Sequence, residues 1–174
     1  MNITLTRDSI PVPVVHTVFP GGESCIRIED PKPLSRFADS SLEVTLRFKN
    51  NGDMFDLALL MDAIHRFYGC RYSQISLVMD YLPYARQDRV CNDGESLSVK
   101  VVADFINSLG FDSVQCKDIH SSVGAALLDN LHHVELIAAA YPLHEVFSPA
   151  TTILVSPDAG ANKKVLDFAK AYGF

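Results

Sequence analysis

From Leu42 onward the chain alternates between two hydrophobic periods, and this alternation restricts its fold more than any other feature. Leu42 to Phe48 reads Leu-x-Val-x-Leu-x-Phe, the period of two that a half-buried strand requires. Past Asn50-Asn51-Gly52-Asp53 the period lengthens. Leu57, Leu60, Met61, Ile64, Phe67 and Tyr68 recur at spacings of three and four, which predicts a helix that Asp53 can cap and Gly69 can end. Ile75 to Met79 is a buried strand by composition. A second helix is expected from about Ser96 to Ser108, with Leu97, Val101, Phe105 and Leu109 as its apolar stripe and Gly110 as its stop. Val114 to Cys116 is the next strand. Strand-helix-strand-helix-strand implies an α/β fold around a parallel, three-layer sheet.

The residues before this core are β-rich. Ile3 and Leu5 alternate with polar neighbours, Val12 to Phe19 is rich in β-branched residues, and Pro20-Gly21-Gly22 turns the chain into Cys25-Ile26-Arg27-Ile28, giving a hairpin attachment at the amino terminus. Beyond Cys116 a helix is expected around Ala125 to Leu128, a short strand at Val134-Glu135-Leu136, and a helix from Ile137 to Val146 interrupted by Pro142. Thr151 to Val155 then reads as a buried strand. Ser156 to Gly160 follows as a loop, and Val165, Phe168, Ala169 and Tyr172 form a helical face that Gly173 stops.

Composition excludes several classes of function. A chain of 174 residues, 48% hydrophobic and 21% charged, can bury a sizeable core and is not disordered. A formal charge of −6 argues against a nucleic-acid partner, which needs a broad basic face, but leaves room for a small basic pocket. No window approaches the roughly 18 consecutive apolar residues of a membrane span, and the first 19 residues lack the apolar centre of a signal peptide. The four cysteines, Cys25, Cys70, Cys91 and Cys116, contain no C-x-x-C pair and read as reduced thiols of a cytoplasmic protein.

Three polar clusters stand directly after expected strands: Tyr84 to Arg89, Asp118-Ile-His120, and Ser156 to Gly160. In a parallel sheet the strand ends open on one edge, so clusters distant in sequence converge there. Arg86 and Arg89 suit phosphate oxygens, to which a guanidinium donates two parallel hydrogen bonds. Gln87 offers the donor and acceptor needed to read a base edge. The alternative is a surface loop with Arg86 paired to Asp88 or Asp93. Asp118 and His120 could coordinate a divalent metal, and Asp158 is the kind of oxygen ligand magnesium takes. Ser156 to Gly160, running into a helix past Lys163 and Lys164, has the general form of a phosphate-binding turn but not the Walker A spacing. No Gly-x-Ser-x-Gly elbow accompanies Ser121 and Ser122, which argues against a hydrolase triad. Phe19-Pro-Gly21-Gly22-Glu23 is either a plain hairpin turn or an aromatic platform for a base with a carboxylate beside it. His16, His132 and His133 are read as structural.

Tyr81-Leu-Pro-Tyr-Ala-Arg-Gln-Asp-Arg89, Lys117-Asp-Ile-His-Ser121, Val155-Ser-Pro-Asp-Ala-Gly160, the Phe19-x-x-Gly22-Glu23 turn and the helix over 51–63 occur in an order that resembles the ribose-phosphate diphosphokinases, also called phosphoribosyl pyrophosphate synthetases. The resemblance implies a type I phosphoribosyltransferase-like fold. It also implies transfer of diphosphate from Mg-ATP to the 1-hydroxyl of ribose 5-phosphate. Carried over by position, Phe19, Gly22 and Glu23 would hold adenine. Arg86, Gln87 and Asp88 would complete the ATP site from a neighbouring subunit, which implies a homo-oligomer. His120, with Asp118, would lie at Mg2+ and the phosphates, and Asp158 at a second Mg2+ position.

Three features depart from the family pattern. Gly21 stands where the family has Asp or Asn; Val90 to Lys100 replaces a basic segment tied to regulation; and no counterpart of the family's catalytic loop or ribose-phosphate loop is found up to Phe174. The chain therefore resembles an amino-terminal half, with residues 1–150 as that domain and 151–174 as the start of a second. Two rivals stay open. One is a catalytically silent, nucleotide-binding fragment or regulatory subunit, and the other is a metal-dependent hydrolase on Asp118, His120 and Asp158.

Overall fold

A six-stranded sheet with the order β2-β1-β5-β6-β7-β8 organises residues 1–133. In chain order its strands are β1 (Ile3–Arg7), β2 (Ile10–Val12), β5 (Ser41–Leu46), β6 (Gln74–Met79), β7 (Ser113–Lys117) and β8 (Leu131–Val134); β3 (Val14–Val18) and β4 (Ser24–Ile28) form a separate antiparallel hairpin. The helices are α1 (Gly52–Tyr68), α2 (Ser98–Ser108), α3 (Ser122–Leu127) and α4 (Asn162–Tyr172). This computed structural model describes residues 2–30, 40–69, 72–117, 119–134 and 147–174. They fall into two compact units, 1–133 and 134–174.

β5, β6 and β7 pair in parallel, as the period alternation demands. Their register aligns Leu46 with Met79 and Met79 with Cys116, so all three carboxyl ends reach one edge. The first strands do more than precede the hairpin. β1 pairs antiparallel with β5, and β2 with β1, extending the main sheet; Asp8 and Ser9 make the tight turn between β1 and β2, both with positive φ. Leu42, Val44 and Leu46 of β5 and Ile75, Leu77 and Met79 of β6 are buried, and the residues between them are not.

α1 buries Leu57, Leu60, Met61, Ile64 and Tyr68, with Phe67 half-buried against the same core. Gly69 ends it at φ 60°, a conformation that costs a side chain more than it costs glycine. Asp53 is not the N-cap itself. It lies inside the first turn and accepts from the backbone N–H of Lys49 (2.7 Å) and Asn50 (2.9 Å) and from Asn2 Nδ2 (2.8 Å), fastening the preceding loop to the helix and to the start of β1.

Two expectations are corrected. α2 faces the core through Val99, Val102, Ala103 and Ile106, whereas Val101 is 63% exposed and Leu97, Phe105 and Leu109 are only partly buried. Both stripes obey helical spacing, and only packing against the sheet decides between them. Thr151 to Val155 forms no strand, and Ile153 and Val155 are 87% and 79% exposed. An apolar run becomes a strand only when a neighbour takes its backbone hydrogen bonds, and among the described residues none pairs with it. α4 carries the expected face of Val165, Phe168, Ala169 and Tyr172, all half-buried, and Gly173 closes it in the left-handed conformation. β7 stands where expected; α3 begins three residues before the expected Ala125 and leaves Leu128 extended, and the strand expected from Val134 is reached earlier, as β8 ends at Val134. Glu135, Leu136 and the helix read over 137–146 lie outside the described residues.

Candidate functional site

The carboxyl edge of the parallel strands carries charge on each of its three neighbours. Asp80, directly after β6, accepts from Lys117 Nζ at 3.2 Å and lies 4.0 Å from Arg47 Nε. The loop that leaves this edge, 80–97, is held by its apolar and aromatic members. Leu82, Pro83 and Ala85 are buried. Tyr81 Oη donates to the carbonyl of Phe48 (3.1 Å), Tyr84 Oη donates to Asn51 Oδ1, and both rings meet the Phe48 ring edge-on. Tyr84 has φ 61°, a strained conformation for an aromatic residue, and the buried Ala85 follows it before the chain reaches the surface at Arg86.

Arg86, Gln87 and Arg89 are therefore exposed on an anchored backbone. The Gln87 carbonyl accepts the N–H of Val99 (3.3 Å), one of the amides that the first turn of α2 leaves unpaired. Among the described residues no ion pair joins Arg86 to Asp88 or Asp93. Its far end closes on itself, Glu95 accepting from the backbone N–H of Cys91 and Asn92 and from the Asn92 side chain.

Two of the three sequence clusters meet. The Asp88 carboxyl is held below its ordinary value, first by the Ser121 hydroxyl and further by its own amide, Arg89 and His120, against the opposing effect of burial. Ser121 Oγ is buried and lies against that carboxylate without full hydrogen-bond geometry to any described group. Ile119 is buried at 3% exposure, and its neighbour His120 stands in solvent at the same edge. Asp118 lies outside the described residues. Sequence reasoning missed Asn51, Phe48 and Ser121 as supports of the loop. The tyrosine pair three residues apart is the signal that could have found the first two.

The hairpin tip is built from the backbone upward. Phe19 N–H donates to the Glu23 carbonyl and Gly22 N–H to the Phe19 carbonyl, both at 2.8 Å, and Gly22 takes φ 93°. Phe19 is 51% exposed and Glu23 is exposed. A Cβ on Gly21 would stand 2.5 Å from Glu23 Oε2, so the missing side chain is what allows that carboxylate to fold over the turn. Among the described residues no hydrogen bond or ion pair joins the tip to the 84–89 loop.

In the second unit, Asp158 Oδ1 accepts from the backbone N–H of Ala161 (2.9 Å), ahead of α4, and Ser156 Oγ donates to the Asp158 carbonyl (2.6 Å). Lys163 is exposed in the first turn of α4 and Lys164 is half-buried. Magnesium beside phosphates needs only one or two protein carboxylates, the remaining ligands being phosphate and water. Asp158, with one oxygen left outside its turn, is a carboxylate of that kind.

Comparison with known proteins agrees with this architecture. Residues 14–110 match the family described as the N-terminal domain of ribose phosphate pyrophosphokinase. Ribose-phosphate pyrophosphokinase 2 of Archaeoglobus fulgidus is 30% identical over 160 residues, 91% of this chain and 51% of that protein. Ribose-phosphate pyrophosphokinase of Gloeobacter violaceus is 31% identical over 161 residues, 92% of this chain and 47% of that protein. The crystal structure of phosphoribosylpyrophosphate synthetase from Mycobacterium smegmatis superimposes with a TM-score of 0.75 at 22% identity, over 93% of this chain and 53% of that one. The chain thus spans about half the length of the relatives it matches. With the α/β sheet, the separate hairpin and the loop at the strand edge all in place, the chain belongs to the ribose-phosphate pyrophosphokinase family.

Proposed function

We propose that this chain supplies the nucleotide-binding elements for transfer of diphosphate from Mg-ATP to the 1-hydroxyl of ribose 5-phosphate, with AMP as the other product. The observation that carries the proposal is the 84–89 loop: two arginines and a glutamine exposed on a backbone held by tyrosine anchors, with Arg86 in no ion pair among the described residues. Arg86 and Arg89 neutralise phosphate charge, and Gln87 offers a donor and an acceptor to the ligand. Phe19 gives adenine a face to stack on, Gly22 shapes the turn, and Glu23 accepts from the base edge. His120 and Asp118 are the residues we assign to one Mg2+ and Asp158 to a second; Mg2+ when bound offsets charge on the transferred group. Catalysis in such a site is positioning and charge neutralisation, the residues having no covalent step to perform.

The two-chain ATP site makes a homo-oligomer part of the proposal, as are the division at residue 150 and a cytoplasmic location. No described helix is long and apolar enough to cross a membrane. Because the chain spans about half of its relatives, a second reading is a nucleotide-binding chain that is catalytically silent by itself. The test is AMP release from ATP, with and without ribose 5-phosphate and Mg2+. Release that needs both supports transfer. ATP binding without release supports the silent reading, and sugar-independent phosphate release would overturn both in favour of a hydrolase.

Arg86→Ala should weaken ATP binding by about ten- to a hundredfold, since a charge-assisted hydrogen bond contributes about 1.5–3 kcal/mol. Thermal stability should be unchanged, because the arginine is exposed and unpaired. Unaltered affinity in a calorimetric titration would remove this loop from the site.

A further inference from the structure

His16 stands at a junction the proposed chemistry does not use. It lies on β3, three residues before Phe19 at the tip of the hairpin, and its Nε2 is 3.1 Å from Ser24 Oγ on β4 and 3.2 Å from Asp56 Oδ2 on α1. Asp56 is only 8% exposed, and His16 is its one ion-pair or hydrogen-bond partner among the described residues. A carboxylate so far from water must be given a donor. The imidazole therefore presents its Nε2–H to Asp56, with Ser24 Oγ on the same nitrogen.

The hairpin is a two-stranded sheet that hydrogen-bonds to no strand of the main sheet. A lone hairpin is marginal in water and takes its orientation from whatever it packs against. Here that support is α1. Ile28 is buried and Val14 half-buried at the open end of the hairpin, and Ile26, opposite His16 in the register, is half-buried against the same core. Toward the tip the inward residues become His16 and Ser24, and Thr17, Val18, Phe19 and Glu23 are exposed. The level of His16 and Ile26 is thus the attachment nearest the tip among the described residues, and the contact with Asp56 is its polar member.

We infer that His16 is a positioning residue, which with Asp56 fixes the angle of the hairpin on α1 and so presents Phe19 and Glu23 to the base of the nucleotide. The inference rests on the reading of the tip as the base site. It concerns the base alone: the phosphate contacts belong to the 84–89 loop, which is anchored independently through Phe48 and Asn51.

Titrating Mg-ATP and, separately, magnesium tripolyphosphate into the chain divides the two halves of the ligand. His16→Ala should weaken ATP binding by about tenfold through lost preorganisation and leave tripolyphosphate binding unchanged. His16→Gln, whose amide can still donate to Asp56, should restore most of the ATP affinity. Asp56→Ala, which removes the acceptor and suits a helix, should show the same loss confined to ATP. Equal ATP affinity in His16→Ala and the parent chain overturns the inference, as does an equal loss for both ligands. A parent chain that binds ATP no more tightly than tripolyphosphate overturns instead the assignment of the tip as the base site.

Discussion

Asp53 shows how one carboxylate settles where α1 begins. Burial opposes its ionisation, yet the Asn2 amide, the N–H groups of Asn50 and Lys49 and the Lys49 charge together hold its carboxyl below the ordinary value. A carboxyl depressed in the folded state gives stability that is complete above its unfolded value of about 4 and lost as pH falls through the lower, folded value. Asp53→Asn should therefore cost about 2 kcal/mol near neutral pH, where hydrogen bonds to a charged acceptor are broken. The gap between parent and variant should close as the medium is acidified below about pH 4. Urea unfolding across that range measures it, and a gap independent of pH would mean that charge on Asp53 is irrelevant. The sequence offered Asp53 as a helix cap, which was correct in place and wrong in detail. Side-chain identity announces an acceptor, but which backbone amides reach it depends on how the preceding loop runs. The same limit applies at His16, where neither Ser24 nor Asp56 is adjacent in sequence and no pattern of spacing connects the three.

At the scale of elements, α2 is the instructive case. Two apolar stripes coexist on it, and the one that reaches the core is Val99, Val102, Ala103 and Ile106. Ile106→Ala should lower stability by about 2–5 kcal/mol, the cost of truncating a fully buried aliphatic side chain. Val101→Ser should change it by less than about 0.5 kcal/mol, the range of surface substitutions. Denaturant midpoints for the two variants distinguish the stripes directly, and the reverse order would restore the sequence reading. Strands β5, β6 and β7 were legible because each carries a strict alternation or a continuous apolar run bounded by polar ends. Thr151 to Val155 carries the same signal and has no strand neighbour among the described residues. Local pattern reports what a segment can bury, and pairing is a property of two segments.

At the scale of the whole first unit, the fold is fastened where three pieces meet. Arg7 closes β1 of the main sheet, Asp30 follows β4 of the hairpin, and Tyr68 ends α1. Arg7 Nη1 and Tyr68 Oη both donate to Asp30 Oδ2, the phenol at 2.8 Å. Side-chain exposures of 5% for Arg7 and 2% for Asp30 make this a buried charge pair. Burial, followed by the hydrogen bond to and charge of Asp30, pushes the Tyr68 phenol well above its usual range, so it remains a donor throughout the physiological range. The β1 strand, the exit of the hairpin and the end of α1 are separated by tens of residues, and nothing in their local sequence foretells the meeting. Asp30→Ala leaves a guanidinium buried without that carboxylate and should cost about 3–5 kcal/mol, while Tyr68→Phe should cost about 1 kcal/mol. Arg7→Met combined with Asp30→Leu should be less destabilised than Asp30→Ala alone, because it removes both charges and leaves apolar volume in their place. Chemical unfolding of the set provides the comparison. A double variant as unstable as Asp30→Ala would show that this junction depends on the charge pair itself, rather than on filling the space where sheet, hairpin and helix meet.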